Sequence, residues 1–419
     1  MAHSDTPAVR TYGNWRRPAS AGLFGLGSGG TAAMMGGLVL VVLVTMTAGL
    51  LRGLIVFTLL TGALGAVAAK DKHGRSLAER AQTRLLWATA RRRGATLYRS
   101  GPLGFTAWGT HQLPGIAASL RLTEHSDAYR RAFALIHAPA TTTYTVPLAA
   151  SPDGASLVDR AQVDVWVADW GHWLANLADE PGLVACTVTI ETAPDSGHEL
   201  RIAVQASIDP HAPEVVTASP AGSSVTRAWV ALTFTATSPA TGDTRGPEAM
   251  GRDLGTRLPG LVDTLRATGA GAVRPIPAHE LCELVRVAYD PAVAPLVDQA
   301  HTDGDAALSW ADVGPAAAGA EWDGYRPDSG YSVTWAMSTA PRGNVQSGVL
   351  ERLLAPHPDI DRKRITLVYR PVDAAKAAAI VEADLRAAEF VASASKKPTA
   401  RSVTAARAAA ATAAEEAAG

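Results

Sequence analysis

Gly25-Leu26-Gly27-Ser28-Gly29-Gly30 has the G-x-G-x-x-G spacing of a dinucleotide cradle, where glycines let the backbone close on a pyrophosphate. That chemistry needs a strand before the glycines and a βαβ unit around them. Here Trp15-Arg16-Arg17-Pro18 precedes them and a long apolar run follows, so they read as a flexible approach to a bilayer. No lysine follows a glycine, so no G-x-x-x-x-G-K-[ST] phosphate loop exists. H-E-x-x-H, G-x-S-x-G and C-x-x-C are also missing. Cys186 and Cys282 are the only cysteines, which excludes a disulfide framework and a Cys-rich zinc site. Cys186 alternates inward on an expected strand and reads as a small buried hydrophobe. His172 lies between Trp170 and Trp173, with Asp169 and Asp164 on the same expected helix. Neither a nucleophile nor an orienting carboxylate is spaced for catalysis there, so His172 reads as a helix-surface residue. No catalytic, cofactor-binding or metal-ligating residue is assigned, no cofactor is expected, and the chain is not read as an enzyme.

Two other groups of residues suit contact chemistry. Arg80, Arg84, Arg91, Arg92 and Arg93 suit the headgroups of an anionic lipid bilayer, each nearby Arg contributing about 1 kcal/mol. A solvated connector whose charges only set topology is the competing reading. Trp166, Trp170, Trp173 and Leu177 recur at helical spacing and read as core packed on a sheet. Trp310 and Trp322 sit in a Gly/Pro-containing spacer and are the candidate partner contacts.

The elements that carry these residues divide at about residue 100. Residues 32–51 hold no charge, and twenty helical residues span about 30 Å, the thickness of a hydrocarbon core. After Arg52-Gly53, residues 54–69 form a second uncharged run. The pair predicts a transmembrane hairpin over 32–69 that turns at Arg52-Gly53, behind an N-terminal arm over 1–31. A signal peptide has one short apolar region near its start, which this pattern does not match. Arg10, Arg16 and Arg17 lie before the hairpin, and a run from Lys70 to Arg99 lies after it. Positive charge is retained inside, so both termini are expected on the cytoplasmic side of the plasma (inner) membrane, with Arg52 snorkelling to the outer headgroups. Ser76 and Glu79 have capping-box spacing and open a helix that Gly94 closes, within a juxtamembrane segment over 70–104. Leu77, Ala81, Leu85 and Ala88 share one face of it, with Arg80, Arg84 and Arg91 on another.

Beyond residue 105, strands are predicted at 116–123, 131–138, 142–149, 183–191, 225–237, 331–337 and 364–370. Helices are predicted at 157–178, 246–268, 277–288 and 344–354. Residues 198–218 read as a mixed, partly helical stretch and 302–328 as a loop. The fold class is α+β: a membrane hairpin, then a cytoplasmic body of one or two split-βαβ, ferredoxin-like sandwiches, divided into 105–270 and 271–419. An Ala-rich helical tail runs from 373. It is expected to hand over to a strand outside this chain or from a partner, or to fray.

The whole chain of 419 residues has a formal net charge of −1 and a pI near 6.8, so no global basic field points to nucleic acid, and no nucleic-acid partner is expected. The arm Thr11-Tyr12-Gly13-Asn14-Trp15-Arg16-Arg17-Pro18, its Gly-rich continuation and the hairpin resemble an actinobacterial membrane-protein family of conjugation and secretion loci. Tyr98-Arg99-Ser100-Gly101-Pro102-Leu103-Gly104 and Ala340-Pro341-Arg342-Gly343-Asn344-Val345 resemble it as well. The two-helix anchor with a large body is similar to EccE of type VII secretion, and the hairpin alone is similar to PrgI-type inner-membrane subunits. Residues 254–291, through Arg274-Pro275, Glu280-Leu281 and Tyr289-Asp290-Pro291, are similar to the N-terminal region of type IV secretion ATPases, whose motor domain has no counterpart here. The resemblance implies a non-catalytic membrane subunit that docks a secretion or conjugation ATPase and other membrane subunits, with homo-oligomers as a further implied partner. A membrane-tethered enzyme with an unfamiliar site, and a nucleic-acid adaptor using the basic helix, are the alternatives.

Overall fold

The computed structural model describes residues 11–12, 27–68, 75–104, 106–152, 154, 158–195, 224–238, 242–304, 308–337, 345–346, 349–373, 376–380, 382–383 and 386. The chain forms two compact units: one of residues 1–96, 333–349 and 377–419, the other of residues 97–332 and 350–376.

In the first unit, helices α1 (Gly27–Ala48) and α2 (Leu50–Ala68) carry no charge except Arg52. Their break is Gly49, whose φ of +91° is open to glycine and costly for other residues. The turn expected at Arg52-Gly53 is therefore misplaced by three residues. Arg52 is instead the third residue of α2, exposed in its first turn. Gly53 is needed for close approach: a Cβ there would sit 2.0 Å from Thr45 Oγ1. A Cβ on Gly37 would likewise meet Leu60 at 2.6 Å. Partner numbers fall from 60 to 53 as those of α1 rise from 37 to 45, so the helices run antiparallel. Small residues at such crossings let apolar helices pack without a hydrophobic driving force. The hydroxyls of Thr45, Thr47, Thr58 and Thr61 each donate to the carbonyl four residues back, which removes their polarity from the apolar surface. By length and composition α1 is the one described helix long and apolar enough to cross a membrane, and the apolar run of α2, Leu50–Ala66, is shorter. Gly27–Gly30 already belong to α1, so helix replaces the last residues of the expected arm, while Gly25 and Leu26 lie outside the described residues. Helix α3 (Leu77–Arg92) follows, and the two-residue strands β1 (Thr11–Tyr12) and β11 (Val345–Gln346) pair antiparallel in this unit.

The second unit is built on an antiparallel sheet. Strands β3 (Arg121–Ser126), β4 (Ala132–Ala138) and β5 (Thr143–Ser151) form a meander. Helix α4 (Arg160–Asn176) leads to β6 (Leu183–Pro194), and β7 (Ser224–Thr235) then lies between β5 and β6. Helix α5 (Pro247–Leu265) leads to β8 (Ala272–Pro275), which pairs with the far half of β5. The order is β12-β6-β7-β5-β4-β3, with β8 on β5 and β12 (Lys363–Tyr369) on the outer edge of β6. One edge of β5 is thus shared, Thr143–Thr145 with β4 and Leu148–Ser151 with β8.

Alternation decides the faces. Tyr144, Val146 and Leu148 of β5, with Phe133, Leu135, Leu232 and Phe234, point to α4 and α5, where Trp173, Leu177, Met250, Leu254, Leu258 and Leu265 close the main core. Gly251 and Gly255 let α5 approach β3: a Cβ on Gly255 would lie 2.7 Å from the Ser126 carbonyl oxygen. The opposite face carries Ala134, Trp229 and Ile276 against α6 (Ala278–Tyr289). Helix α7 (Ala294–Asp303) follows it, and α8 (Glu351–Leu354) precedes β12. A smaller antiparallel sheet orders β10 (Tyr325–Pro327), β9 (Ala317–Ala320) and β2 (Leu97–Arg99).

Several expectations change. The strand expected from 116 begins at Arg121, because 115–119 form a 3-10 turn. Residues 331–337 alternate but form no ladder among the described residues; the bridge Ser332–Tyr325 forms, and Trp335 stays 89% exposed. The helix expected at 344–354 is reduced to α8, since Val345–Gln346 extend to pair with β1. The expected loop at 302–328 holds β9, β10 and the turn Trp310–Asp312. The boundary at 270/271 falls inside the second unit, because β8 and β12 complete the sheet begun by β3–β7. Residues 198–218 lie outside the described residues, as does most of the tail, of which 376–380 are helical.

Candidate functional site

The arginines read from the sequence as lipid contacts lie on or just past α3, and the helix is built at both ends as its residues dictate. Ser76 Oγ accepts from the Glu79 N–H at 3.1 Å, and a Glu79 carboxylate oxygen accepts from the Ser76 N–H at 2.8 Å, a reciprocal capping box. At the other end Gly94 adopts φ +70°. Its N–H donates to the Arg91 carbonyl at 3.1 Å and the Ala95 N–H donates to Ala90 at 3.0 Å, the two bonds of a Schellman stop. Between these caps no residue is buried, and Leu77, Leu85 and Leu86 are 54%, 69% and 63% exposed. An amphipathic helix with its apolar stripe open is unusual in a folded body, where that stripe meets a core. Arg80, Arg84 and Arg91 share one line at i, i+4 and i+11, and Arg84 and Arg91–Arg93 are exposed. Arg91 and Arg92, in the last turn, also face the negative end of the helix dipole.

Trp310 and Trp322 part company. Trp310 is half-buried, donates from Nε1 to the Leu120 carbonyl at 3.0 Å and packs with Leu122, Ile276 and Cys282. It is a core residue of the α6 face, a role its Gly/Pro-containing surroundings concealed. Trp322 remains 58% exposed. The helical stripe is core as expected: Trp173 is 4% exposed and its ring stacks on Trp170 at 5.1 Å, with Tyr369 edge-on to Trp170 at 5.9 Å. His172 is exposed on the outer side of α4.

A shallow cleft of about 360 Å³ between β3 and α6 is lined by Thr123, Glu124, His279, Cys282, Ser309 and Trp310. Its chemistry is already engaged. Glu124 accepts the Ala278 N–H at 2.7 Å and so caps α6 from another strand. Burial, with Glu283 and Asp312 nearby, pushes the Cys282 thiol up to about 11, and burial pushes Cys186 up to about 12, so neither is a thiolate at neutral pH. The sequence motif Tyr98–Gly104 is a structural knot. Tyr98 donates to the Gln112 carbonyl at 2.6 Å, Ser100 Oγ donates to Pro315 at 2.6 Å, and Gly101 at φ +77° turns beside His111. Ser100 and His111 are 3.2 Å apart, but the hydroxyl is held by Pro315 inside the fold.

One charged node was not legible from the sequence. Arg286 of α6 donates to the Gly314 carbonyl at 2.7 Å, to Asp290 at 2.9 Å and to Asp328 at 3.2 Å. Asp328 also accepts the N–H groups of Ala316 and Ala317, which locks β9 to α6. Burial, followed by the neighbouring Tyr289, Tyr98 and Asp328, pushes Tyr325 up to about 12. Arg286 and Asp290 stand four residues apart, but nothing in local spacing links that pair to Asp328. Among the described residues no group of three His, Cys, Asp or Glu is placed to hold a metal.

A family described as a domain of unknown function (DUF8461) matches residues 19–79, which span α1, α2 and the capping box that opens α3. No curated protein and no solved structure matches the chain.

Proposed function

We propose that this chain is a membrane-anchored, non-catalytic subunit of a conjugation or secretion machine, with α1 and α2 as a two-pass anchor and the body as the docking surface for a motor ATPase. The observation that carries this reading is α3: a helix capped at both ends, with no residue buried, whose arginine line and open leucines follow directly on an apolar antiparallel helix pair. Such a helix suits the plane of an anionic headgroup layer. The charges flanking the pair favour both ends on the cytoplasmic side.

The ionic groups of the body support a scaffold. Arg131–Asp127, Arg245 and Arg257 with Asp253, Arg274–Glu280, Arg286 with Asp290 and Asp328, and Arg364–Glu191 each join elements or turns. The run β5-α4-β6-β7-α5-β8, with spatial order β6-β7-β5-β8, supports a ferredoxin-like split-βαβ sandwich extended by β4, β3 and β12.

Reporter fusions after residue 20 and after residue 110 test the anchor; both are expected to report the cytoplasmic side, and an external signal from either refutes the hairpin. Affinity capture from native membranes tests the docking role: a secretion-type ATPase is expected with the full chain and is lost when 97–376 are deleted. Loss of transport on substituting His172, Asp164 or Asp169, with capture intact, would bring the enzyme reading forward.

A further inference from the structure

Between Arg99 and Arg121 the chain carries no Asp, Glu, Lys or Arg. Within that stretch Leu103, Trp108 and Ile116 are 95%, 99% and 98% exposed, the most exposed large apolar side chains among the described residues. Soluble surfaces scatter single apolar residues, whereas here three large ones stand almost fully exposed within fourteen residues of sequence.

The loop that carries Leu103 and Trp108 is closed by its own hydrogen bonds, and Ile116 follows in the 3-10 turn Gly115–Ser119. Gly101 N–H donates to the Thr110 carbonyl at 3.0 Å, Thr106 Oγ1 donates to the same oxygen at 2.6 Å, and Gly104 N–H donates back to Gly101 at 2.9 Å. The closed loop places Trp108 at φ +59°, a conformation disfavoured for a bulky residue, and so an outlier that invites a functional reading. Leu113, by contrast, is 6% exposed and packs with Cys282 and Val313 on the α6 side of the body, which fixes the root of the segment.

We propose that this uncharged segment is a second membrane contact, in which Leu103, Trp108 and Ile116 enter the interfacial layer of the bilayer that α1 and α2 are read to cross; the inference rests on that anchor. Chain length argues for this occupant. From Arg92 at the end of α3 to Leu103 is at most about 40 Å of extended chain, a tether short enough to keep a headgroup layer within the loop's reach. Composition argues for it as well. No formal charge needs desolvation, Trp is enriched at the bilayer interface, and Arg99 and Arg121 flank the segment where headgroup phosphates would lie.

The test uses the full chain in nanodiscs with anionic lipid. Single cysteines are introduced as Leu103→Cys, Trp108→Cys and Ile116→Cys and labelled with an environment-sensitive fluorophore. Cys186 and Cys282 are buried and stay unlabelled. Val42→Cys in α1 reads the anchor, and His172→Cys, on the face of the sheet opposite α6, reads water. The three loop labels are expected to lose emission when the lipids carry a quencher and to escape iodide, as Val42→Cys does, while His172→Cys is quenched by iodide alone. Quenching by lipid at Val42→Cys, with iodide-accessible loop labels, overturns the loop contact and leaves the anchor standing. Loop labels shielded from iodide yet untouched by the lipid quencher place a protein there and overturn the lipid assignment. No lipid quenching at Val42→Cys overturns the anchor and the inference together.

Discussion

Helix α3 has no buried residue, so its population depends on its two ends, and that dependence can be measured. Ser76→Ala removes the acceptor of the 3.1 Å bond from the Glu79 N–H. Losing such a cap costs about 1 kcal/mol, or roughly fivefold in the helix–coil equilibrium. Gly94→Ala acts at the opposite end. Nothing lies within 4 Å of a Cβ there, so its cost is conformational alone, about 1 kcal/mol for leaving glycine's φ of +70° to alanine. The two ends share no partner, so the double variant is expected to lose about 2 kcal/mol, roughly thirtyfold. Hydrogen exchange of the full chain in zwitterionic nanodiscs reads this directly, through the amides of residues 81–92. Protection should fall about fivefold for either single variant and about thirtyfold for both. Transfer to anionic nanodiscs should restore much of it, because headgroup binding stabilises the helical form. Unchanged protection in the double variant would refute the reasoning, since the helix would then be held by something other than its caps.

The other expectations concern the body and the peptide. Arg364→Met leaves the Glu191 carboxylate, 3% exposed, without its guanidinium and should cost about 3 kcal/mol in a thermal or urea melt; adding Glu191→Gln should recover most of that loss. Gly314→Ala places a Cβ 1.9 Å from the Gln112 carbonyl oxygen beside the Arg286 node and should destabilise the body by about 3 kcal/mol, whereas Gly242→Ala, where space is open but φ is +74°, should cost about 1 kcal/mol. Burial holds Cys186 and Tyr325 at about 12 and Cys282 at about 11, so the folded protein keeps protons that the unfolded chain releases from about pH 9. Their stabilisation is complete below that pH and is lost as pH rises toward 12, so the melting midpoint should fall across that window. A peptide of residues 70–99 should bind anionic vesicles and release them in high salt; replacing Arg80, Arg84, Arg91, Arg92 and Arg93 by Gln should weaken binding about a thousandfold or more.

Periodicity reached the elements that repeat often enough to declare a face. The stripe of Trp166, Trp170 and Trp173 defines α4, and the alternation through Val230, Leu232 and Phe234 defines β7. It failed where an element is short or made of residues without preference. β9 reads Ala-Ala-Gly-Ala and β10 reads Tyr-Arg-Pro, and neither alternates. Alternation also says nothing about a partner, which is why 331–337 has a strand's pattern and one bridge. The arginines of α3 and both of its caps were legible because helix ends are local chemistry. Trp310, Glu124 and Arg286 were not, because each owes its role to a residue far away in sequence.

The position of β12 at the edge of β6 has a consequence for how the protein is made. Residues 363–369 leave the ribosome about 170 residues after the end of β6, whose outer hydrogen-bonding edge has no earlier partner among the described strands. At about 5–20 residues per second that interval lasts roughly 10–35 s. Through that window the apolar helices have already emerged, while the nascent body presents a bare strand edge open to any extended chain. Completion of the sheet by nearly the last described strand therefore makes the timing of synthesis, and a chaperone's cover during it, a determinant of yield.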